Sequence, residues 1–278
     1  MRRYAASLFI IAATALVYTS CKQTTPAEPE PEADTSNSIC FETRSGSATF
    51  RLTNSAADFE QDSDLTYFDS VNLIMPTSIY KHDIAALRDT ILKVAFDTIA
   101  PDFDDAMSKY FIASAGEAGY TPSATSNAGN LKMLSDGMTI VDGKVFSMTD
   151  RILTYRVSNY TYPPRAAHGI TENRYITYDM KRGNIVTLDS VFTADGLTAL
   201  PTVIAKRAKQ MKVQLGETSI TALPMAGNFC VDIDGNLSFI YAPYEVASYA
   251  QGEISVSFYP YELSDYLTPL GRDILGLQ

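Results

Sequence analysis

Two histidines are the only imidazole side chains that this chain can bring to a reaction or to a metal ion. His82 and His168 cannot complete a histidine-rich zinc site without carboxylates, and the sequence has no HExxH or CxxC spacing. It likewise contains no GxSxG elbow, P-loop or GxGxxG motif. His82 stands beside Asp83 at a predicted helix start, which is typical of a solvated surface histidine. We therefore expect no metal site, no cofactor and no catalytic residue among these groups.

Carboxylates are more numerous, but their local patterns have simpler explanations than catalysis. Asp102, Asp104 and Asp105 fall in the first turn of a predicted helix, where acidic residues favour the helix dipole. The segment 232–236 is similar to a calcium loop, but its twelfth position is Pro243 instead of a bidentate Glu. A hairpin turn explains it better. A carboxylate-pair glycosidase stays open, because such pairs have no sequence signature.

The loop 165–169 is the most distinctive local feature. It joins two predicted strands, follows two prolines and contains a cation, an imidazole and a glycine. One interpretation is architectural, with His168 donating to a carboxylate or carbonyl such as Glu245. The other places Arg165, His168 and Tyr162 on an exposed ligand face. Arg165 is the better ligand candidate, because its guanidinium pairs with carboxylates or stacks on aromatic rings.

Tyrosine is abundant, with 17 residues, while tryptophan is absent. A subset clusters on neighbouring predicted strands: Tyr155, Tyr160, Tyr162, Tyr175 and Tyr178. Tyrosines on a rigid sheet can form a binding face, because the ring supplies area and the hydroxyl supplies direction. The same positions also fit half-buried strand residues.

The N-terminus predicts export from the cytoplasm. Arg2 and Arg3 precede the apolar run 5–17, which is too short to cross a bilayer comfortably and has the layout of a secretory signal. The junction Ser20–Cys21 resembles the lipobox of bacterial lipoproteins, in which the cysteine is acylated and becomes the new N-terminus. An ordinary signal peptide with a coincidental cysteine is the alternative. We expect a lipid anchor at Cys21, in an outer membrane and facing the periplasm.

The remaining cysteines are Cys40 and Cys230. In an oxidising compartment this even pair could form a disulfide, or both could be buried thiols.

Charge and hydropathy restrict the partners. The chain is 46% hydrophobic with a mean hydropathy of −0.05 and a net charge of −10; removing Arg2 and Arg3 with the signal leaves −12. This acidity argues against nucleic acid and anionic lipid, and it allows a basic partner. No other run is long enough to span a bilayer, so we expect membrane contact through the anchor only.

The elements that must position these residues indicate an α+β fold, with helices packed on one face of antiparallel sheets in two successive strand-helix-meander units. Three-to-four-residue periodicity predicts helices over 84–98, 102–115 and 197–211. Glycines predict turns at residues 45–46, 142–143, 182–184 and 234–235. The predicted organisation is a signal peptide (1–20), a disordered tether (21–38), an N-terminal α+β unit (39–160) and a C-terminal α+β domain (161–278).

Several motifs in order resemble the C-terminal domain of RsiV-like proteins. They are the loop Tyr162–Gly169, the Tyr-rich strand Tyr175–Gly183, the segment Val186–Phe192, the segment Phe239–Gly252 and Tyr261–Leu263. Ala167, His168 and Gly169 match the loop directly, whereas Pro164 and Arg165 stand where the family has paired glycines. More weakly, 71–97 is similar to the companion domain also found in peptidoglycan deacetylases.

The resemblance implies an extracytoplasmic α+β module. In RsiV this region binds lysozyme, and the cytoplasmic part of that protein is an anti-sigma factor. A lipoprotein signal stands in place of that part here, so anti-sigma activity is not implied.

We expect a non-catalytic cell-envelope lipoprotein whose extracytoplasmic ligand is lysozyme or a peptidoglycan fragment. The candidate ligand-binding residues are Tyr162, Arg165, His168, Tyr244 and Glu245. The alternatives are an enzyme or accessory module acting on envelope polysaccharide, and a purely structural envelope protein.

Overall fold

The computed structural model of the chain describes residues 18–21, 38–53, 65–98, 101–117, 121–124, 136–216 and 221–277. Most of the predicted signal peptide and the predicted tether at 22–37 lie outside these ranges. The architecture is α+β, as predicted: two mainly antiparallel sheets, each with helices. In the part of the chain that the structure describes, no helix is long and apolar enough to cross a membrane.

The larger sheet has eight strands. They are β1 (Tyr18–Cys21), β2 (Ile39–Thr53), β3 (Leu65–Ile79), β4 (Thr121–Ala124), β5 (Gly137–Met148), β6 (Ile152–Tyr162), β7 (Ile170–Asp179) and β8 (Asn184–Val186). Their spatial order is β1-β2-β3-β5-β6-β7-β8, and β4 pairs with β2. All neighbours are antiparallel except β3 and β5, which are parallel because a helical connection separates them.

That connection contains α1 (Ala85–Phe96) and α2 (Phe103–Glu117), close to the bounds that periodicity predicted. Both helices pack on one face of the larger sheet. The core between them is largely apolar and includes Leu73, Leu87, Ile91 and Tyr155, each with no exposed surface. Burying one such side chain contributes about 1.5–3 kcal/mol, so this core fixes the sheet that positions the site.

The second unit is built on a smaller sheet. Its strands are β9 (Asn228–Val231), β10 (Leu237–Tyr241) and β11 (Ile254–Phe258), in the order β11-β10-β9. The helices of this unit are α3 (Leu188–Val191), α4 (Ala194–Gln210) and α5 (Pro269–Ile274), with two 3₁₀ segments at Tyr249–Gln251 and Pro260–Tyr266. Together they enclose a second apolar core.

Threonine caps begin two of these helices. The Thr193 hydroxyl accepts from the Gly196 amide at 3.0 Å, and the Thr268 hydroxyl accepts from the Gly271 amide at 2.9 Å. Each cap satisfies an amide that the first turn of a helix leaves without a partner.

Polar contacts join the two sheets. The Thr154 hydroxyl on β6 donates to the Val231 carbonyl on β9 at 2.8 Å. The Asn228 side chain bonds the backbone of β7, accepting from the Tyr175 amide at 2.9 Å and donating to the Asn173 carbonyl at 2.7 Å. An ion-pair cluster joins Asp273 on α5 to Arg151 and Arg182. The units are therefore bonded along the β6–β7 side of the larger sheet.

The predicted boundary at 160/161 falls near the end of β6. Strand β7 pairs with β6 over ten residues, and the first core extends to Met180. Strand β7, predicted within the C-terminal domain, thus packs with the N-terminal core.

Two of the predicted turns are wrong. Residues 45–46 lie inside the single strand β2, and residues 142–143 lie inside the single strand β5. The turns at 182–184 and 234–235 are confirmed, with Gly183 at φ 77° and Gly235 at φ 81°.

The Cys40–Cys230 disulfide is not present. Cys230 is a buried free thiol on β9 of the smaller sheet, whereas Cys40 lies on β2 of the larger one. Burial raises the pKa of the Cys230 thiol to about 12, which favours its protonated form at neutral pH.

Candidate functional site

The loop between β6 and β7 is folded back on itself. The Tyr162 hydroxyl donates to the Ala166 carbonyl at 3.0 Å, and the Ala166 amide donates to the Pro163 carbonyl at 3.1 Å. Arg165, at the tip of the loop, is exposed and has φ 62°, a left-handed conformation that is uncommon outside glycine. Tyr162 is thus a support of the loop, and Arg165 is presented to solvent.

His168 stacks on Tyr249 from the 3₁₀ segment that precedes β11. The two ring centroids are 3.9 Å apart with an interplanar angle of 18°. The Tyr249 hydroxyl also donates to the Gly169 carbonyl at 2.5 Å. A Cβ at residue 169 would overlap the Tyr160 hydroxyl, so a larger residue here would have to displace that side chain.

Tyr244 continues the stack on the outer side. Its ring lies 5.6 Å from the Tyr249 ring with an interplanar angle of 29°. The side chain is 59% exposed, and the backbone has φ 72°. His168, Tyr249 and Tyr244 together are named the aromatic stack below. It bridges the β6–β7 loop and the β10–β11 loop with an exposed ring at its outer end.

Glu245 does not contact His168 as the architectural interpretation suggested. Its Oε2 atom accepts from the Ala242 amide at 2.9 Å, and its own amide donates to the Ala242 carbonyl at 3.1 Å. The carboxylate therefore closes the turn that holds Tyr244 in its left-handed conformation. His168 has a supporting role through ring stacking, and Glu245 supports the same site through the backbone.

An open cleft of about 340 Å³ adjoins the aromatic stack. Tyr244 and Glu245 line it together with mainly apolar residues: Gly216, Ala222, Leu223, Pro224, Val246 and Ala247. This volume is at the small end of the roughly 300–1,000 Å³ that small-molecule sites occupy.

A second contact holds the β10–β11 loop to the larger sheet. Glu253, just before β11, accepts from the Asn173 side chain on β7 at 2.9 Å. Burial raises the pKa of the Glu253 carboxyl, and the nearby Arg156 guanidinium opposes that shift. Tyr175 lies in the same cluster, where burial first and Glu253 second raise the pKa of its phenol to about 12.

Strand alternation divides the predicted tyrosine cluster. Tyr155 and Tyr178 are buried in the first core beneath the helices, whereas Tyr160, Tyr162 and Tyr175 are partly exposed. The predicted tyrosine face therefore has three members instead of five, and Tyr160 and Tyr162 adjoin the aromatic stack through Gly169 and Ala166.

Tyr249 is the residue that the sequence reasoning missed. It occurs within the Phe239–Gly252 motif, yet nothing local distinguishes it from the neighbouring tyrosines. Cys21, the predicted lipid anchor, ends β1 opposite Cys40 on β2. Among the described residues, no group of three or more His, Cys, Asp or Glu side chains could hold a metal ion. The chemistry that the site offers is recognition by an aromatic face and by apolar contact.

The fold and the site define an α+β protein with an aromatic stack at the junction of two sheets. Residues 189–262 match the model of a family described as a protein of unknown function, DUF3298. That match covers the C-terminal part of the region where we noted a resemblance to RsiV-like proteins. None of the curated proteins matches the chain.

Two solved structures of DUF3298 family proteins resemble this one. A member from Bacteroides fragilis NCTC 9343 has a TM-score of 0.60 and 17% identity, over 84% of this chain and 96% of that one. A member from Pseudomonas aeruginosa PAO1 has a TM-score of 0.51 and 12% identity, over 82% of this chain and 94% of that one. At these identities the similarity shows the fold alone.

Proposed function

We propose that this protein is a non-catalytic lipoprotein of the cell envelope that binds a cell-wall glycan fragment at the aromatic stack. The anchor is Cys21, acylated at the junction with the signal peptide, and the folded part faces the periplasm from the outer membrane. The sequence signal supports the anchor, and the geometry around Tyr244 supports the binding role.

The exposed ring of Tyr244 is the observation on which this proposal depends. A large aromatic side chain that is 59% exposed adds little to the stability of a folded core. Here it is also fixed in place, by stacking on Tyr249 and by a left-handed backbone that Glu245 closes. A conformation of this kind persists only where the surrounding structure enforces it, and such positions cluster at binding sites.

A sugar ring suits this surface. The face of a tyrosine ring has partial negative charge and attracts the polarised C–H groups on the flat side of a pyranose. The adjoining apolar wall of the cleft, with Leu223, Pro224 and Val246, can accept a methyl group of an acetylated sugar. Arg165 is an exposed residue at the tip of the β6–β7 loop, and a guanidinium can pair bidentately with the carboxylates of wall fragments.

Lysozyme is the second candidate ligand, and net charge favours it. A mature chain of charge −12 would attract this basic protein and accelerate the encounter between the two. Charge complementarity of this kind mainly raises the association rate, and it gives little specificity for one basic partner over another. The glycan is therefore the first candidate, because it uses the specific geometry of the stack.

The test is a calorimetric titration of purified protein with a soluble glycan fragment that carries no peptide. We expect Tyr244→Ala to weaken binding roughly tenfold, equivalent to about 1.4 kcal/mol. Ile233→Ala is the matched control, since Ile233 is 70% exposed on the β9–β10 turn and lies outside the stack. Equal affinities for Tyr244→Ala and wild type would contradict the proposal.

The same samples separate the alternatives. Lysozyme binding that weakens steeply with salt, together with no glycan binding, would favour the second candidate. Appearance of new reducing ends or free acetate during incubation would contradict a non-catalytic role. Binding of neither ligand would favour a structural envelope protein.

A further inference from the structure

A second aromatic pair stands on the surface, outside the aromatic stack. Tyr259 and Tyr261 follow the end of β11, and their rings are stacked at 5.6 Å with an interplanar angle of 5°. The side chains are 51% and 66% exposed, which places both among the large apolar side chains most exposed in the described part of the chain. Although the two rings pack on each other, each side chain keeps about half or more of its surface exposed to solvent.

Hydrogen bonds and an ion pair fix the backbone on which this pair stands. The Tyr259 amide donates to Glu262 Oε2 at 2.8 Å, and Glu262 Oε1 forms an ion pair with Arg207 of α4 at 3.0 Å. The Arg207 Nε atom also donates to the Ser257 carbonyl at 2.9 Å. Pro260 lies between the two tyrosines, and its ring restricts the backbone angle φ at that position. The pair is therefore ordered in advance, although its rings contribute little to the core.

The surroundings of the pair favour a carbohydrate over a protein partner. Protein-binding hot spots sit at the desolvated centre of an apolar patch. Close to Tyr259 and Tyr261 in the chain stand two polar residues instead, the half-buried Ser264 and the exposed Asp265. Flat rings bordered by hydroxyl and carboxylate groups match a pyranose, which has an apolar face and a hydroxylated rim.

The two aromatic surfaces lie at opposite ends of the smaller sheet. In the β10–β11 ladder, Leu237 is opposite Phe258 and Tyr241 is opposite Ile254. Tyr259 follows one end of this ladder, and Tyr244 follows the other. Four residue steps at about 3.4 Å each span roughly 14 Å along the strands. A ligand that reaches both surfaces must therefore be longer than a single sugar.

We propose that Tyr259 and Tyr261 form a second glycan-binding platform, and that the ligand of this protein is a polymeric glycan strand that engages this platform and the aromatic stack together. The proposal rests on the proposed function and extends it from a fragment to a strand. Two linked contacts would give a long strand an affinity about 10²-fold or more above that of a short one.

The experiment measures this ratio of affinities, with peptide-free wall glycan separated into a short and a long fraction. Wild type should bind the long fraction about 10²-fold more tightly. In Tyr261→Ala the ratio should fall close to one, while the short fraction still binds at the aromatic stack. Tyr261→Phe keeps the ring and should keep the ratio. Ile233→Ala is the exposed control, and circular dichroism verifies that each variant is folded.

The two proposals fail in different ways. An unchanged ratio in Tyr261→Ala, with binding still weakened in Tyr244→Ala, overturns the second platform and leaves the aromatic stack as the site. If Tyr244→Ala binds both fractions with the affinity of the wild type, the function proposed for the aromatic stack is wrong. No binding of either fraction by wild type overturns both.

Discussion

The Tyr155 hydroxyl on β6 occupies the space that a Cβ atom at Gly143 on β5 would need. Leu73 on β3 closes the same space from the other neighbouring strand. Gly143 is therefore a packing residue within a strand, and its lack of a side chain allows a tyrosine to lie across the centre of the sheet.

Gly143→Ala should consequently destabilise the protein. The added methyl group must displace Tyr155 or Leu73, and overpacking of this kind costs about 1–3 kcal/mol. Thermal unfolding should show a Tm lower by on the order of 5 °C. Gly227→Ala is the matched control, because a Cβ at Gly227 has no neighbour within 4 Å. Similar melting of the two variants would refute this account of Gly143.

The ion-pair cluster around Asp273 predicts a pH dependence. Hydrogen bonds from Arg151 and then Arg182 lower the pKa of the Asp273 carboxyl from 3.8 to about 2. A lowered folded pKa gives stability that is present above the unfolded value and is lost as pH falls through the folded value. Wild type should exceed Asp273→Asn in stability at neutral pH, and the difference should disappear between about pH 4 and pH 2.

Denaturant unfolding at a series of pH values measures this difference. Asp234→Asn, which removes an exposed carboxylate from the β9–β10 turn, controls for the loss of one charge. A gap between wild type and Asp273→Asn that stays constant down to pH 2 would show that the carboxylate does not act as an ion-pair partner.

Tyr249→Phe should keep the stacked rings and remove only the hydrogen bond to the Gly169 carbonyl. Loss of one such bond costs about 0.5–1.5 kcal/mol. We expect a small fall in stability, with faster amide hydrogen exchange in the β6–β7 and β10–β11 loops. Tyr244→Phe, on the exposed ring, should leave exchange unchanged. Equal protection in both variants would mean that the hydroxyl does not join the two loops.

Substitutions at Arg165 separate the effect of backbone strain on stability from the effect of the guanidinium on ligand binding. Arg165→Ala and Arg165→Gly both remove the guanidinium, but only glycine adopts φ 62° without strain. Both should weaken binding of a carboxylate-bearing wall fragment by a similar factor, and the glycine variant should be the more stable of the two by up to about 1 kcal/mol. Unaltered binding in both variants would remove Arg165 from the site.

Acylation at Cys21 can be followed by metabolic labelling with a fatty-acid analogue. The wild type should be labelled, Cys21→Ala should not, and Cys40→Ala should resemble the wild type. Equal labelling of all three proteins would remove the basis for the lipid anchor.

Turn prediction shows where local sequence was sufficient for the fold and where it was not. The pair Asp-Gly occurs at residues 142–143 and again at 234–235, yet only the second pair forms a turn. The Asp-Gly pair itself is the same in both cases. Contacts from Tyr155 and Leu73 keep the first pair in a strand, and Met107 of α2 similarly covers Gly46 inside β2. Helix periodicity was more reliable, because one face of each helix must meet the core.

The candidate site was also predicted only in part, because its central contact joins residues that are far apart in sequence. The β6–β7 loop and the segment at Tyr244 and Glu245 were identified, but their connection was assigned to the wrong atoms. Tyr249, which is 80 residues from Gly169 in the chain, makes that connection. A stack between rings so far apart in sequence leaves no periodicity or spacing, so it became visible only in three dimensions.

The Asn228 side chain has a consequence for how this protein behaves at high concentration. By accepting from the Tyr175 amide and donating to the Asn173 carbonyl, it takes the place of a neighbouring strand along β7. Strand β8 pairs with the rest of that border, at residues 177–179. The unpaired backbone groups of an edge strand can pair with strands of other chains, which leads to aggregation. Because this border is closed over residues 173–179, another polypeptide cannot pair with the larger sheet there, beside the β6–β7 loop and the aromatic stack.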